Sequence, residues 1–154
     1  EPRGFTWVIS GRLAVSERVG GHGFQHRRVR REEEIVWLKG MGVNTVLSLL
    51  PGNQNLAAYA AAGLTALHEP LLELEQAAAE RVFVALRSAL RDRKAVVLLH
   101  RDTVDDAVAG VLAGYLVYAG LLDDPIKATA LIQEILRRPL GPEARAIIPQ
   151  AAGA

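Results

Sequence analysis

The residues best suited to chemistry lie together at 100–107: His100-Arg101-Asp102-Thr103-Val104-Asp105-Asp106-Ala107. An apolar stretch, Val96-Val97-Leu98-Leu99, runs into the histidine, and a long apolar segment begins right after Asp106. A strand that stops at a short loop and gives way to a helix is the frame of an anion cradle. The helix's first amides and its positive end face such a loop. Two readings suit the residue types present. His100 with Asp102, Asp105 and Asp106 has the make-up of a hard-metal site, at spacings of three and four that share one helix face. Against this, a histidine ending a buried strand points inward as a hydrogen-bonding group, so no metal is expected. In the second reading Asp105 or Asp106 caps the helix and takes the amide hydrogen bonds that a bound anion would receive. The loop's carboxylates, paired with Arg101, then fill their own pocket, and phosphate binding is not expected. Thr103 is the only hydroxyl in the loop.

The elements that position this loop follow from the pattern of apolar residues. Short β-branched or apolar runs at 5–9, 12–15, 43–50, 64–67 and 95–99 read as strands, the last as a sheet centre because it is apolar throughout. Helical patterns fall at 32–41, 55–62, 76–92, 107–122, 124–138 and 143–148. The helix at 32–41 gains from three glutamates in its first turn and stops at Gly42. Asp124 and Pro125 read as the N-cap and first residue of the next-to-last helix. Pro139-Leu140-Gly141-Pro142 separates it from the final turns. Strands alternating with helices predict an α/β fold, a mostly parallel central sheet flanked by helices. No linker or repeat divides the 154 residues, so a single domain over 1–154 is expected.

Composition narrows the function classes. Half of the residues are hydrophobic and 23% are charged, a balance that supports a packed core. The net charge of +1 gives no general pull toward nucleic acid or anionic lipid. There are no cysteines, which excludes disulfides, thiolate metal sites and a thiol nucleophile. No cofactor is implied. The apolar run at 107–122 is shorter than the roughly 20 residues a membrane span needs and is bounded by aspartates. It reads as a buried helix, whose Gly110 and Gly114 allow close approach of the sheet. Glu1-Pro2-Arg3-Gly4 resembles neither a signal peptide nor a lipidation site. Arginine far exceeds lysine in an Ala- and Gly-rich chain, which points to a GC-rich bacterial source; with neither targeting motif at 1–4, a cytoplasmic protein is expected.

The one basic cluster is His26-Arg27-Arg28-Val29-Arg30-Arg31. Arg27, Arg28, Arg30 and Arg31 are candidates to contact an anion or an acidic partner. No aromatics interleave them, so nucleic acid is not expected. Glu32-Glu33-Glu34 follow at once and offset the charge. His22 and His26 flank Phe24 in a Gly-rich loop, too little for a metal site. Trp7 and Trp37 read as core or core-edge anchors.

Several strings, in this order, resemble the cysteine-dependent protein tyrosine phosphatase superfamily, in its atypical dual-specificity branch. They are Phe5-Thr6-Trp7-Val8-Ile9-Ser10-Gly11-Arg12-Leu13-Ala14, the helix-to-strand step Leu38-Lys39-Gly40-Met41-Gly42-Val43-Asn44-Thr45-Val46-Leu47-Ser48-Leu49, the segment 63–68, the loop at 96–110, and the closing segments from Asp124 to Pro142. The resemblance covers nearly the whole chain. It implies a phosphatase-like fold with a signature of His-Cys, two residues, Gly, two residues, Arg. Aligned on His100, the nucleophile position is Arg101, the glycine falls on Val104 and the phosphate-binding arginine falls on Ala107. The general-acid loop of such proteins carries an aspartate, whereas His68-Glu69-Pro70-Leu71-Leu72-Glu73 has none. Glu69 and Glu73 stand nearest that place and read as surface charges. A catalytically inactive domain that binds or scaffolds a protein partner, or self-associates, is therefore expected. The alternative is a residual or metal-dependent phosphate-ester hydrolase using the aspartate-rich loop.

Overall fold

Twelve short elements make up the chain, which a computed structural model describes over residues 1–154. The strands are β1 (Thr6–Ile9), β2 (Leu13–Ser16), β3 (Thr45–Ser48), β4 (Thr65–His68) and β5 (Val97–His100). The helices are α1 (Arg28–Gly40), α2 (Leu56–Ala61), α3 (Gln76–Leu90), α4 (Asp106–Tyr118), α5 (Pro125–Leu136) and α6 (Pro142–Ala146), with a single 3-10 turn at Gly23–Gln25. They group into two compact units, one of residues 1–70 with 89–104, the other of residues 71–88 with 105–154.

The first unit holds the whole sheet, in the order β1-β2-β5-β3-β4. Only β1 and β2 are antiparallel; β2–β5, β5–β3 and β3–β4 are parallel. The mostly parallel sheet and the central place of β5 are as the sequence implies. Alternate residues Ala14, Val46 and Leu98 pack with Ile35 and Leu38 of α1 and Tyr59 of α2 in one core. Their neighbours on the other sheet face, Val15, Leu47, Val97 and Leu99, are equally inaccessible. That two-sided burial accounts for the apolar runs. Phe5 stands edge-on to both Trp7 and Trp37, with centroids 5.3 and 4.9 Å away. The two tryptophans thus edge the core, as expected.

α1 departs from expectation. It starts at Arg28, four residues early, so the basic run forms its first turn and the glutamates follow in its second. Packing decides this over the helix dipole. Glu34 is buried, accepting from the Gly20 amide at 2.8 Å and from Arg30 Nε at 2.7 Å.

In the second unit α4 is buried from Val108 to Tyr118. Its two glycines face helices. A side chain at Gly110 would meet the Ala144 backbone of α6 at 2.9 Å, and one at Gly114 would strike the Phe83 ring of α3. Tyr118 lies against Phe83 and under the Arg87 guanidinium, 4.5 Å from its ring centre. Asp124 caps α5 through the Ile126 amide, with Pro125 in the first turn. No helix is long and apolar enough to cross a membrane.

Candidate functional site

β5 delivers His100 to the carboxyl end of the parallel strands, between Ser16 of β2 and Ser48 of β3, all three fully buried. Two residues on from Leu98, the imidazole enters the core covered by α1 and α2. Its Nε2 lies 2.9 Å from the Tyr59 hydroxyl and its Nδ1 3.4 Å from the Arg101 carbonyl. Asn55 donates one amide hydrogen toward Tyr59 Oη, at 3.3 Å, and one to the Val19 carbonyl, at 2.8 Å. This order fixes the proton positions. The Arg101 carbonyl can only accept, so Nδ1 carries the hydrogen and donates to it, and Nε2 accepts from the Tyr59 hydroxyl, which in turn accepts from Asn55. Burial pushes the imidazole's pKa down to about 4; the Arg101 carbonyl opposes this shift and the Arg18 charge adds to it. Burial likewise raises that of Tyr59. Both rings are neutral at pH 7, so neither is a ready acid or base.

Within the same unit, Arg18 Nη1 lies 3.9 Å from Asp102 Oδ1, whose side chain is half exposed. Arg18 N–H also donates to the Asp102 carbonyl. Arg101, Thr103 and Val104 are partly buried. Glu69 is half-buried just past β4.

The second unit takes Asp105, Asp106 and Ala107. Asp105 is the N-cap of α4, in extended conformation, accepting from the Val108 amide at 3.0 Å. Asp106 accepts from the Gly141 amide at 2.8 Å and has Arg138 Nη2 at 3.9 Å. Glu73 is exposed. Each aspartate of the 100–107 segment thus has its own protein partner: Asp102 Arg18, Asp105 the first turn of α4, Asp106 the start of α6. No three His, Asp or Glu side chains come together to hold a metal. Asp105→Ala should cost about 1 kcal/mol of stability, read as an earlier urea midpoint, and Asp105→Asn should restore most of it.

Sequence reasoning found His100 and the Asp105 cap but missed Asn55, Tyr59 and Arg18. The signal for Asn55 was faint. It is a polar residue ahead of α2 whose positive φ of 68° asparagine tolerates better than most.

No family profile matches the sequence, and no curated protein matches it. Solved structures do. A kinase-associated phosphatase with its catalytic-site cysteine changed to serine superposes with a TM-score of 0.73 at 16% identity, over 96% of this chain and 93% of that one. The fold is that of the cysteine-dependent dual-specificity phosphatases. Human DUSP28 gives 0.65 at 18% identity, over 96% and 92% of the two chains. TpbA of P. aeruginosa, in complex with phosphotyrosine, gives 0.68 at 17%, over 96% and 90%. A phosphatase-like α/β fold is thus matched over 96% of the chain, as the ordered strings implied.

Proposed function

We propose that this chain is a catalytically inactive phosphatase-like domain, a single domain over 1–154, that serves as a binding, regulatory or scaffolding module. One observation carries the reading. In a dual-specificity phosphatase fold, the segment after β5 has Arg101, Val104 and Ala107 where a working loop has its nucleophile, its glycine and its phosphate clamp. Losing the nucleophile of a cooperating catalytic unit costs on the order of a millionfold in turnover, about 8 kcal/mol of barrier. Thr103 is two positions from the nucleophile's place. Asp105 and Asp106 support the reading too, since both accept backbone amides and add negative charge. Glu69 and Glu73 then have no leaving group to protonate. The partner is a protein or a second copy of the chain, and the setting is the bacterial cytoplasm; the arginine-rich composition supports the bacterial source.

The test is turnover of an aryl phosphate, with and without Mg2+, Mn2+ or Zn2+. The expected rate equals the buffer background, and millimolar vanadate should not bind saturably. A saturable rate that disappears in Asp105→Ala would replace this reading with a hydrolase of the aspartate loop.

A further inference from the structure

The fold splits the four arginines of the basic run into two pairs. Arg27 turns back and donates to the Phe24 and His26 carbonyls at 2.7 and 2.9 Å, locking the preceding turn. Arg30 is held by Glu34 at 2.7 Å. Arg28 and Arg31, one helical turn apart, instead line a cleft of about 640 Å³ within the first unit, between α1 and α2. Asn53 and Gln54 add amide groups to the same end, and Ala57 and Ala61 form an apolar floor. Arg28 is exposed. Arg31 reaches Glu32 at 3.2 Å and the Asn55 side-chain oxygen at 3.4 Å, while its Nε is buried without a hydrogen bond. The first turn of α1 also has no side-chain cap and no acidic residue. Its arginines sit at the helix's positive end, where an anion is favoured and a cation is not.

We propose that this cleft docks an acidic segment of a protein partner, one carboxylate lying between Arg28 and Arg31 and small apolar residues resting on the alanine floor. Charge selects the occupant. Glu32 offsets one of the two arginines, leaving a single positive charge, which matches a carboxylate better than a phosphate dianion. Size agrees, because Ala57 to Ala61 spans about 6 Å of helix, room for two extended residues. The proposal deepens the binding reading and rests on it, yet the readouts are separate: turnover tests inactivity, and peptide binding tests this cleft.

The experiment is fluorescence anisotropy of the whole chain with a short labelled peptide of alternating Glu and Ala, at low and moderate salt. Saturable binding is expected, lost when Gln replaces Glu in the peptide and weakened by salt. Arg28→Glu should weaken it by about tenfold or more. Ala61→Trp, which fills the floor and removes no charge, should do the same. Arg27→Glu should change it less than about twofold, since Arg27 serves the turn. All three substituted positions are exposed, and thermal melts confirm that the variants fold. The proposal falls if no saturable binding occurs, if Arg27→Glu and Arg28→Glu weaken it equally, or if Ala61→Trp leaves it intact. A labelled single-stranded oligonucleotide that binds more tightly and is lost in Arg28→Glu would assign the cleft to nucleic acid instead.

Discussion

Gly114→Leu will abolish folding. α4 is buried along its length, and even one carbon at Gly114 would overlap the Phe83 ring. Phe83 cannot swing aside freely, because it is itself buried and packed on Tyr118, with ring centroids 5.4 Å apart. Forcing extra methylenes into such a site costs about 1–3 kcal/mol for small additions and more for large ones. A domain of this size is stable by only about 5–15 kcal/mol. Gly114→Ala should therefore fold with a stability loss of about 2 kcal/mol, and Gly114→Leu should be recovered only as insoluble or unfolded chain. The pairing can be checked directly. Phe83→Leu alone should destabilise, but combined with Gly114→Ala it should cost less than the two single changes added together. Strict additivity in urea midpoints, or a soluble and cooperative Gly114→Leu protein, would refute the close approach.

The second large effect is on pH. His100 is neutral in the fold, its pKa held near 4, and ordinary in the unfolded chain, near 6.5. Between those values the unfolded chain binds more protons than the folded one, so stability rises with pH. The contribution is complete above pH 6.5 and is lost progressively as pH falls toward 4. At about 1.4 kcal/mol per unit the total is roughly 3 kcal/mol. Carboxylates also titrate in acid, so the diagnostic is a difference between variants. His100→Gln, which retains polar atoms for Tyr59 and the Arg101 carbonyl, should be less stable at pH 7.5 and lose less between pH 6.5 and 5. Equal slopes for both proteins in that interval, from urea unfolding at each pH, would show that His100 is not the titrating group.

How far these features were legible in the sequence depends on how local their causes are. β5, α4, α5 and the Asp105 and Asp124 caps follow from short-range rules: an apolar run, a carboxylate ahead of a helix, a proline in the first turn. α1 did not, because its start depends on a distant partner. Glu34 is drawn into the core by the Gly20 amide and Arg30, and this pulls the helix back over the arginines. A local rule prefers glutamate in the first turn, and a buried hydrogen bond outweighs it. The same non-locality hid the Asn55–Tyr59–His100 chain, which joins residues up to 45 apart in sequence and has no repeating spacing. At the loop itself, the residue types point to the Asp105 cap, but the bond from the Gly141 amide to Asp106 spans 35 residues and follows no local rule. Gly110 and Gly114 read locally as an aid to sheet packing, yet their neighbours are α6 and α3, because the small residue that fits a sheet equally admits a helix.

The strand order has a consequence for the chain as it is being made. β2 and β3 are not bonded to each other; β5 fills the space between them, and it is synthesised some fifty residues after β3. Until it emerges from the ribosome, the β1–β2 hairpin and the β3–β4 pair each present an open edge of unpaired amides and carbonyls, the surface on which stray strands add. Those two edges are where a nascent chain of this topology is most open to mispairing. Substitutions in β5 that slow its insertion should therefore lower the yield of soluble protein before they alter the stability of the finished fold.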